Sequence, residues 1–445
     1  PYCDNRSRDG WTFSGSGRVL TGINSFIATI TLREVYLDEL LSSQAHVQVN
    51  SPYGVSARVF WNHFRASGGP TESPVGSITQ DFEDLRSDVV DAEVVYQDTF
   101  DFFFENQLAV GTSYRLKNIR WLEYLREEQT QNHFAAFFED NIRFSPSTSL
   151  LLSARVDRHP LFDALQFSPR GSLVVRPTDD SAVRLVVGRA FRNPTFTESY
   201  VENRTPLSQG PGLTAFGVGN EDLEPESIVS YELGYSKEFD LLNVELNAYY
   251  NRFSNAILNQ GRLSPTLTDN SGFVEDVDAF LVREVSFVND EAVFRQLGGE
   301  LGARAFPADG LDVYANVSLH DTSPTSSSRE LDLEGREDDE RTSRYKFNAG
   351  LQYRSEFGLD VGVDLNVVGS QFWVIRVPTD AGFEQSGFRI PAYTLVNARV
   401  GYRLVEDLLE VAVSGTNLLN DVHRQHPFSA QRLTRRVFAT AILRL

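Results

Sequence analysis

The chain has 445 residues, a hydrophobic fraction of 41% and a formal net charge of −20 at pH 7. Phosphates repel a chain this acidic, so nucleic acid is excluded as a partner. The single cysteine, Cys3, excludes a disulfide framework and a thiolate metal site. No apolar run reaches the roughly 18 residues of a membrane-spanning helix, although alternating strands can cross a membrane without one.

Apolar and polar residues alternate along most of the chain. In the segment 359–367, for example, every odd position is Leu or Val and every even position is Asp, Gly or Asn. Such segments are about 10 to 14 residues long, whereas strands of soluble proteins are mostly five or six. A tilted strand needs roughly 9–11 residues to cross a membrane. The pattern therefore predicts an all-β fold, a transmembrane antiparallel β-barrel.

Nineteen strands are predicted, and the first four are the weakest in pattern. In chain order they are 11–20, 24–33, 43–50, 54–66, 90–100, 107–121, 132–144, 149–159, 168–176, 181–191, 226–239, 244–257, 293–307, 311–322, 343–357, 359–374, 392–405, 409–420 and 433–445. Between the second and third strands, residues 34–42 are interpreted as a short helix or a loop.

The connections between these strands alternate in length. The short ones are 145–148, 177–180, 240–243, 308–310 and 406–408, and the long ones are 192–225, 258–292, 323–342, 375–391 and 421–432. This alternation is typical of an outer-membrane barrel, with short periplasmic turns and long extracellular loops. It places the C-terminus in the periplasm and makes the first predicted strand descend. We therefore expect an odd number of strands to precede it.

Three motifs carry a resemblance to a known family. They are GRAFRNPTFTE at 188–198, GNEDLEPESIVSYELGY at 219–235 and GTNLLND at 415–421. Together, in this order, they resemble the barrel of a TonB-dependent outer-membrane receptor. The resemblance covers residues 131–445, while residues 1–130 fit the barrel in pattern only. The chain ends in Leu445, where many such barrels end in an aromatic residue.

The resemblance implies both an architecture and a function. A family barrel has 22 strands, so the nineteen would be the fourth to the last, and the plug domain and first strands are absent from this sequence. Without a signal peptide or any methionine, the sequence is expected to be the C-terminal part of a receptor. The implied function is uptake of a ferric siderophore, another chelate, an oligosaccharide or a peptide across the Gram-negative outer membrane. The implied partners are TonB, the plug domain, lipid and lipopolysaccharide. No enzymatic activity and no cofactor are implied.

The ligand is expected at the external mouth of the barrel. The candidate ligand-binding residues are Arg192, Tyr200, Arg204, Phe216 and His320. Four lie in the predicted loop after strand 181–191, and His320 lies on the polar face near the external end of strand 311–322. The interval from Phe191 to Leu223 contains no histidine, whereas haem receptors of the family typically have one there. The resemblance therefore points away from haem.

Two further features are interpreted as structural. His423 and His426 have a spacing that could hold a metal in a helical turn, but we favour solvated loop histidines. The acidic segment 329–341 could attract a cation, but we favour a solvated loop.

Two alternatives to a TonB-driven transporter remain open at this point. A passive porin would also have a polar lumen and long strands. A receptor-derived barrel could instead serve as a scaffold in an outer-membrane complex. No catalytic set of side chains is found, so an enzyme is not expected.

Overall fold

The computed structural model describes the backbone of residues 2–443, apart from 9–10, 23–25, 31–32, 69–70, 73–78, 81–83, 123, 207–212, 264–272, 275–278, 329–330, 332–335, 380–381, 406–407 and 427–431. Side chains are described for the rest of the chain, except in residues 1–39, 68–83, 203–216, 259–285 and 375–386 and in the short gaps just given.

Within these ranges the chain forms strands and one short helix, α1 (Phe196–Tyr200). The strands are β1 (Tyr2–Arg8), β2 (Trp11–Gly22), β3 (Phe26–Ile30), β4 (Arg33–Asn50), β5 (Val55–Gly68), β6 (Thr71–Glu72), β7 (Thr79–Gln80), β8 (Leu85–Phe102), β9 (Phe104–Arg120), β10 (Gln129–Ser145), β11 (Thr148–Arg158), β12 (Gln166–Thr178), β13 (Ser181–Arg192), β14 (Glu202–Pro206), β15 (Leu213–Val218), β16 (Glu226–Phe239), β17 (Leu242–Ser254), β18 (Ile257–Leu263), β19 (Phe273–Val274), β20 (Ala279–Asn289), β21 (Phe294–Ala308), β22 (Leu311–Pro324), β23 (Tyr345–Arg354), β24 (Leu359–Val368), β25 (Gln371–Thr379), β26 (Gly382–Ile390), β27 (Tyr393–Val405), β28 (Leu409–Thr416) and β29 (Arg436–Leu443). None of the described residues forms a helix long and apolar enough to cross a membrane.

Twenty of these strands form one antiparallel sheet that runs up and down in chain order. β2 and β3 pair with successive parts of β4, so they share one position and the sheet has nineteen positions. From one edge to the other, the neighbouring strands are β1, β2 with β3, β4, β5, β8 to β13, β16, β17, β21 to β24, and β27 to β29. This is the antiparallel barrel wall that the alternation predicts.

The five predicted short connections all lie at one end of the sheet. At Asp309–Gly310 the chain reverses between β21 and β22 with φ of 73° at Gly310, a conformation that glycine adopts without strain. The long connections lie at the opposite end, which we call the external end. The predicted alternation of short and long connections is confirmed.

The two faces of the sheet differ as the pattern requires. One face carries exposed apolar side chains, with Leu233 at 52% and Val413 at 54% of their maximum exposure. Aromatic side chains also lie on this face, as the pair Tyr231 and Tyr250 shows, with ring centroids 6.2 Å apart. The other face carries ion pairs such as Arg399 with Glu410. A lipid-facing exterior and a polar interior explain this division.

The weakest predictions concern the first 50 residues. Residues 34–42 lie within the long strand β4 and form neither a helix nor a loop, so that prediction is wrong. The predicted strands 11–20 and 24–33 occupy one position, and β1 was not predicted. The count of nineteen is preserved because these two errors cancel. Val35, Tyr36, Leu37, Leu40 and Leu41 break strict alternation, which hid the strand.

The external connections contain further strands of their own. β14, β15, β18, β19 and β20 form a five-stranded sheet from the connections 193–225 and 255–293. Within it, β15 and β20 are parallel, which ties one long loop to the other. β25 and β26 form a separate hairpin. These loop strands were not predicted, since their sequences are short and interrupted.

Candidate functional site

The candidate site is the external mouth, where the connections 193–225 and 255–293 meet. The first connection begins with α1, whose N-cap is Thr195. The Thr195 hydroxyl accepts from the Glu198 amide at 3.2 Å, and the Glu198 carboxylate accepts from the Thr195 amide at 2.7 Å. This reciprocal capping box starts a helix that is too short to be stable alone.

Arg192 joins the helix to the barrel wall. Its guanidinium donates to both carboxylate oxygens of Glu198, at 2.9 and 3.1 Å, and also to Glu226. Glu226 lies directly opposite Arg192 in the β13–β16 ladder and also accepts from the Ile257 amide at 2.8 Å. Burial raises the pKa of Glu198, but hydrogen bonds from Arg192 and Thr195 lower it below its ordinary value overall. The carboxylate is therefore held ionised beside Arg192.

The second motif fastens the other long connection. The Asn289 side chain donates to the carbonyls of Glu224 and Asn255, both at 2.9 Å, and accepts from the Glu224 amide at 2.8 Å. Asn255 in turn donates to the Glu224 carboxylate at 2.9 Å. Leu223 is 1% exposed and anchors this junction. The acidic stretch is thus a joint between two loops.

Tyr200 contacts the barrel interior from above. Its hydroxyl accepts from the Gln131 side chain at 3.5 Å, and burial raises its pKa. Gln131 also lies 3.2 Å from His133, whose ring is 4.6 Å from that of His159. Burial and then the charge of Lys117 lower the pKa of His159 to about 4. The His159 imidazole is therefore neutral at pH 7.

His320 lies on the opposite part of the wall, on β22. Its Nδ1 is 2.9 Å from the Tyr249 hydroxyl and its Nε2 is 2.8 Å from the Thr322 hydroxyl. Both ring nitrogens are therefore engaged within the wall. Gly298 makes room for this arrangement, because a Cβ there would lie 2.2 Å from the Tyr249 ring.

Arg204 and Phe216 face each other across the β14–β15 hairpin. Their side chains lie outside the described part, so only their backbone positions are placed. Of the five candidates, Tyr200, Arg204 and Phe216 share one connection, Arg192 is the last residue of β13 directly before it, and His320 lies apart on β22. Their role as ligand contacts stays a prediction.

The sequence reasoning missed the group formed by Lys117, Gln131, His133 and His159. The signal was available in part, since Lys117, Gln131 and His133 fall on the polar face near external strand ends. His159 directly follows β11, and only the fold brings it beside His133.

The interpretation of His423 as a solvated loop residue is wrong. It is 4% exposed, stacks on Tyr393 with centroids 4.0 Å apart, and its Nδ1 lies 2.7 Å from the Asp421 carbonyl. His426 is exposed beside Trp373. Across the described residues, no group of three or more His, Cys, Asp or Glu side chains could hold a metal ion.

Two carboxylates in the described end of the acidic segment, 336–341, are paired with arginines. Asp339 pairs with Arg341 at 2.9 Å, and Asp338 pairs with Arg344 at 3.3 Å. Burial raises the pKa of Asp339, but Arg341 lowers it below its ordinary value overall. Residues 329–330 and 332–335 of this segment lie outside the described residues.

Comparison with known proteins agrees with this architecture. The family model described as TonB dependent receptor-like, beta-barrel matches residues 4–418. Among curated proteins, a probable TonB-dependent siderophore receptor PirA of Acinetobacter baumannii is 27% identical over 130 residues, which are 28% of this chain and 17% of PirA. A hemin receptor of Yersinia pestis is 34% identical over 97 residues, which are 21% of this chain and 14% of the receptor.

Solved structures show the same fold over nearly the whole chain. The ferric enterobactin receptor PfeA of Pseudomonas aeruginosa, in a mutant form, has a TM-score of 0.71 at 16% identity, covering 97% of this chain and 66% of PfeA. PirA of Acinetobacter baumannii has a TM-score of 0.69 at 14% identity, covering 97% of this chain and 70% of PirA. The chain thus spans about two thirds of these structures.

The relatives are receptors and transporters of small ligands, and none is an enzyme. Their ligands differ, so they leave the substrate of this chain open. The matched family model covers most of the chain and agrees with the antiparallel sheet and its external loops. The chain belongs to the TonB-dependent receptor family and matches the family's β-barrel.

Proposed function

We propose that this barrel is the transport domain of a TonB-dependent receptor in the Gram-negative outer membrane. It takes up a scarce nutrient, with a ferric siderophore or a similar anionic chelate as the leading substrate class. The observation that carries the proposal is the joining of two long external connections above a polar barrel interior. Two connections held together in this way can form a binding surface at the external mouth.

The chemistry of the mouth supports an anionic ligand. Lys117, His133 and His159 present hydrogen-bond donors on one wall, while Tyr200 adds an aromatic ring above them. Catecholate and similar chelates carry negative charge and flat rings, which such groups bind by hydrogen bonds and stacking. Tyr200, Arg204 and Phe216 are proposed as ligand contacts from the first connection.

Arg192 and His320 are proposed to act at the same mouth by shaping it. Arg192 is held by two carboxylates, and both ring nitrogens of His320 are bonded within the wall. Ligand contact by either residue would have to exchange one of these bonds. We therefore expect replacement of Arg192 or His320 to lower ligand affinity through lost direct contacts less than replacement of Tyr200 does.

Transport itself is proposed to need a plug domain and TonB. The polar interior offers ion-pairing side chains such as Arg399, Asp360 and Glu410 to a polar plug. Ligand bound at the mouth would enter when TonB, driven by the inner-membrane proton gradient, displaces the plug. Lipid and lipopolysaccharide would surround the apolar outer face.

Uptake by the full-length receptor tests this proposal. The receptor would be expressed in an iron-starved Gram-negative strain that lacks its own siderophore receptors, and uptake of radiolabelled ferric chelates would be measured. We expect uptake of at least one chelate with an intact tonB gene and none after its deletion. Uptake that persists without TonB would instead identify a passive channel. Failure with every chelate, while TonB-dependent uptake of an oligosaccharide or peptide occurs, would refute the chelate class.

A further inference from the structure

A row of arginines crosses the outer face of the barrel near its external end. Arg189 on β13 is opposite Val229 on β16, Val229 is opposite Arg252 on β17, and Arg252 is opposite Arg295 on β21. Residues opposite each other in an antiparallel ladder have side chains on the same face. We call Arg189, Arg252 and Arg295 the arginine row.

The arginine row faces away from the barrel interior. Each member has the parity of exposed apolar side chains on its own strand: Leu185 and Val187 on β13, Leu246 and Tyr250 on β17, and Leu297 and Leu301 on β21. All three arginines are themselves exposed. Their guanidinium groups therefore lie on the surface that the proposed function assigns to lipid.

The height of the row matches the outer boundary of a membrane. Tyr231 and Tyr250 lie two residues below it on the same face and form an aromatic pair. At the other end of β16, Lys237 pairs with Asp180 at 2.5 Å. Val229 and Lys237 are eight residues apart in sequence, which is about 20 Å of height for a tilted strand. The apolar band of such barrels is about 25 Å tall.

The charge of the row is largely uncompensated. Arg189 donates to the Ser227 hydroxyl at 3.2 Å, and none of the described acidic side chains forms an ion pair with Arg189, Arg252 or Arg295. On the same face, Asp321 lies opposite Leu297, two residues along β21 from Arg295, and pairs with Arg344 at 3.6 Å. A chain with a net charge of −20 thus concentrates free positive charge at one boundary.

We propose that the arginine row binds the phosphates of lipid A, the phosphorylated lipid of the outer leaflet. Guanidinium groups bind phosphate oxygens in pairs of parallel hydrogen bonds. At this height they would meet the phosphates while Tyr231, Tyr250 and Leu297 contact acyl chains. The inference rests on the proposed function, because it needs the barrel to lie in the outer membrane.

Lipid A binding by the full-length receptor tests the row. The receptor is purified in detergent, and its affinity is measured for bisphosphorylated lipid A and for the same lipid A after dephosphorylation. We expect wild type to bind the phosphorylated form at least tenfold more tightly. Each arginine near an anionic surface contributes about fivefold in affinity. The triple variant Arg189→Gln, Arg252→Gln, Arg295→Gln should lose the preference.

A matched control removes the same charge from the other face. Arg170 and Arg176 on β12 and Arg184 on β13 are exposed and have the inward parity. Their triple change to glutamine should keep the preference for phosphorylated lipid A. Replacing the row by lysines should give an intermediate affinity, since an ammonium keeps the charge but cannot bind in the paired geometry.

Several outcomes would overturn the inference. The first is an unchanged preference in the triple variant, and the second is displacement of lipid A by an equal concentration of inorganic phosphate, which would indicate a free-anion site. If the triple variant does not assemble, the single variants replace it, and three unchanged single variants also overturn the inference. If the receptor takes up its nutrient but the row variants keep the preference for phosphorylated lipid A, this inference alone is refuted. Absence of the receptor from outer membranes refutes the proposed function.

Discussion

Replacing Arg192 by alanine should release the first external connection from the barrel wall. The change leaves the Glu198 and Glu226 carboxylates, whose side chains are 16% and 12% exposed, without their shared cation. Breaking a buried ion pair costs about 3–5 kcal/mol. The Arg192 side chain is 43% exposed, so solvent screening reduces the expected loss of local stability to about 2 kcal/mol.

Hydrogen exchange of the full-length receptor measures this loss. A local opening free energy lowered by about 2 kcal/mol corresponds to about 30-fold faster exchange of the amides in α1. Arg192→Lys should fall between wild type and Arg192→Ala, because lysine can keep one of the two carboxylate contacts.

The control is Arg304→Ala, which removes a bidentate arginine–aspartate pair with Asp312 near the tight-turn end. It should leave exchange in α1 unchanged. Equal exchange in wild type and Arg192→Ala would refute the reasoning that this ion pair fastens the connection. Equal acceleration by both variants would show a general effect on the barrel and would refute it too.

Three further changes test the mouth. Asn289→Ala removes hydrogen bonds to Glu224 and Asn255, and exchange of the 255–258 amides should accelerate by the equivalent of about 2 kcal/mol; unchanged exchange would argue against the joint. Gly219→Ala places a Cβ 2.4 Å from the Ser199 backbone, so trypsin should cut the connection faster than in wild type, with Gly302→Ala, which meets nothing within 4 Å, as the control. The pKa of His159 is lowered to about 4, so the protein keeps the full contribution of this residue above pH 6.5 and loses it progressively down to about pH 4, by at most about 3 kcal/mol. Thermal unfolding should show this pH dependence in wild type and less of it in His159→Asn; identical profiles would contradict the assignment.

The sequence predicted the barrel wall better than its mouth, and the reason is physical. A membrane strand must put an apolar side chain toward lipid at every second position, so segments such as 359–367 can be recognised from their alternation of apolar and polar residues. The first half of β4 was missed because Tyr36, Leu37, Leu40 and Leu41 break that period, whereas its second half was predicted as strand 43–50. The external connections have no such constraint, and β14, β15, β18 and β20 are held by partners far apart in the chain.

The group formed by Lys117, Gln131, His133 and His159 shows the same limit of sequence-based prediction at single residues. His159 acquires its lowered pKa from burial and from Lys117, which lies on another strand. No local pattern places these two side chains together. His423 was misjudged for the same reason, since its stacking on Tyr393 joins the connection after β28 to the first residue of β27.

The motifs that identify the family explain why the substrate stays open. Arg192 in the first motif donates hydrogen bonds to Glu198 in α1 and to Glu226 in the barrel wall. Asn220 in the second motif donates to the Phe287 carbonyl at 2.9 Å. A residue committed to such joints serves any ligand equally well, because it positions the loops and leaves recognition to the side chains between them. Substrate choice should therefore depend on residues such as Tyr200, Arg204 and Phe216, and replacing these three should alter which chelate is bound without loosening the joint. A variant that changes ligand preference while exchange in α1 stays at the wild-type rate would support this separation of roles, and coupled changes in both would contradict it.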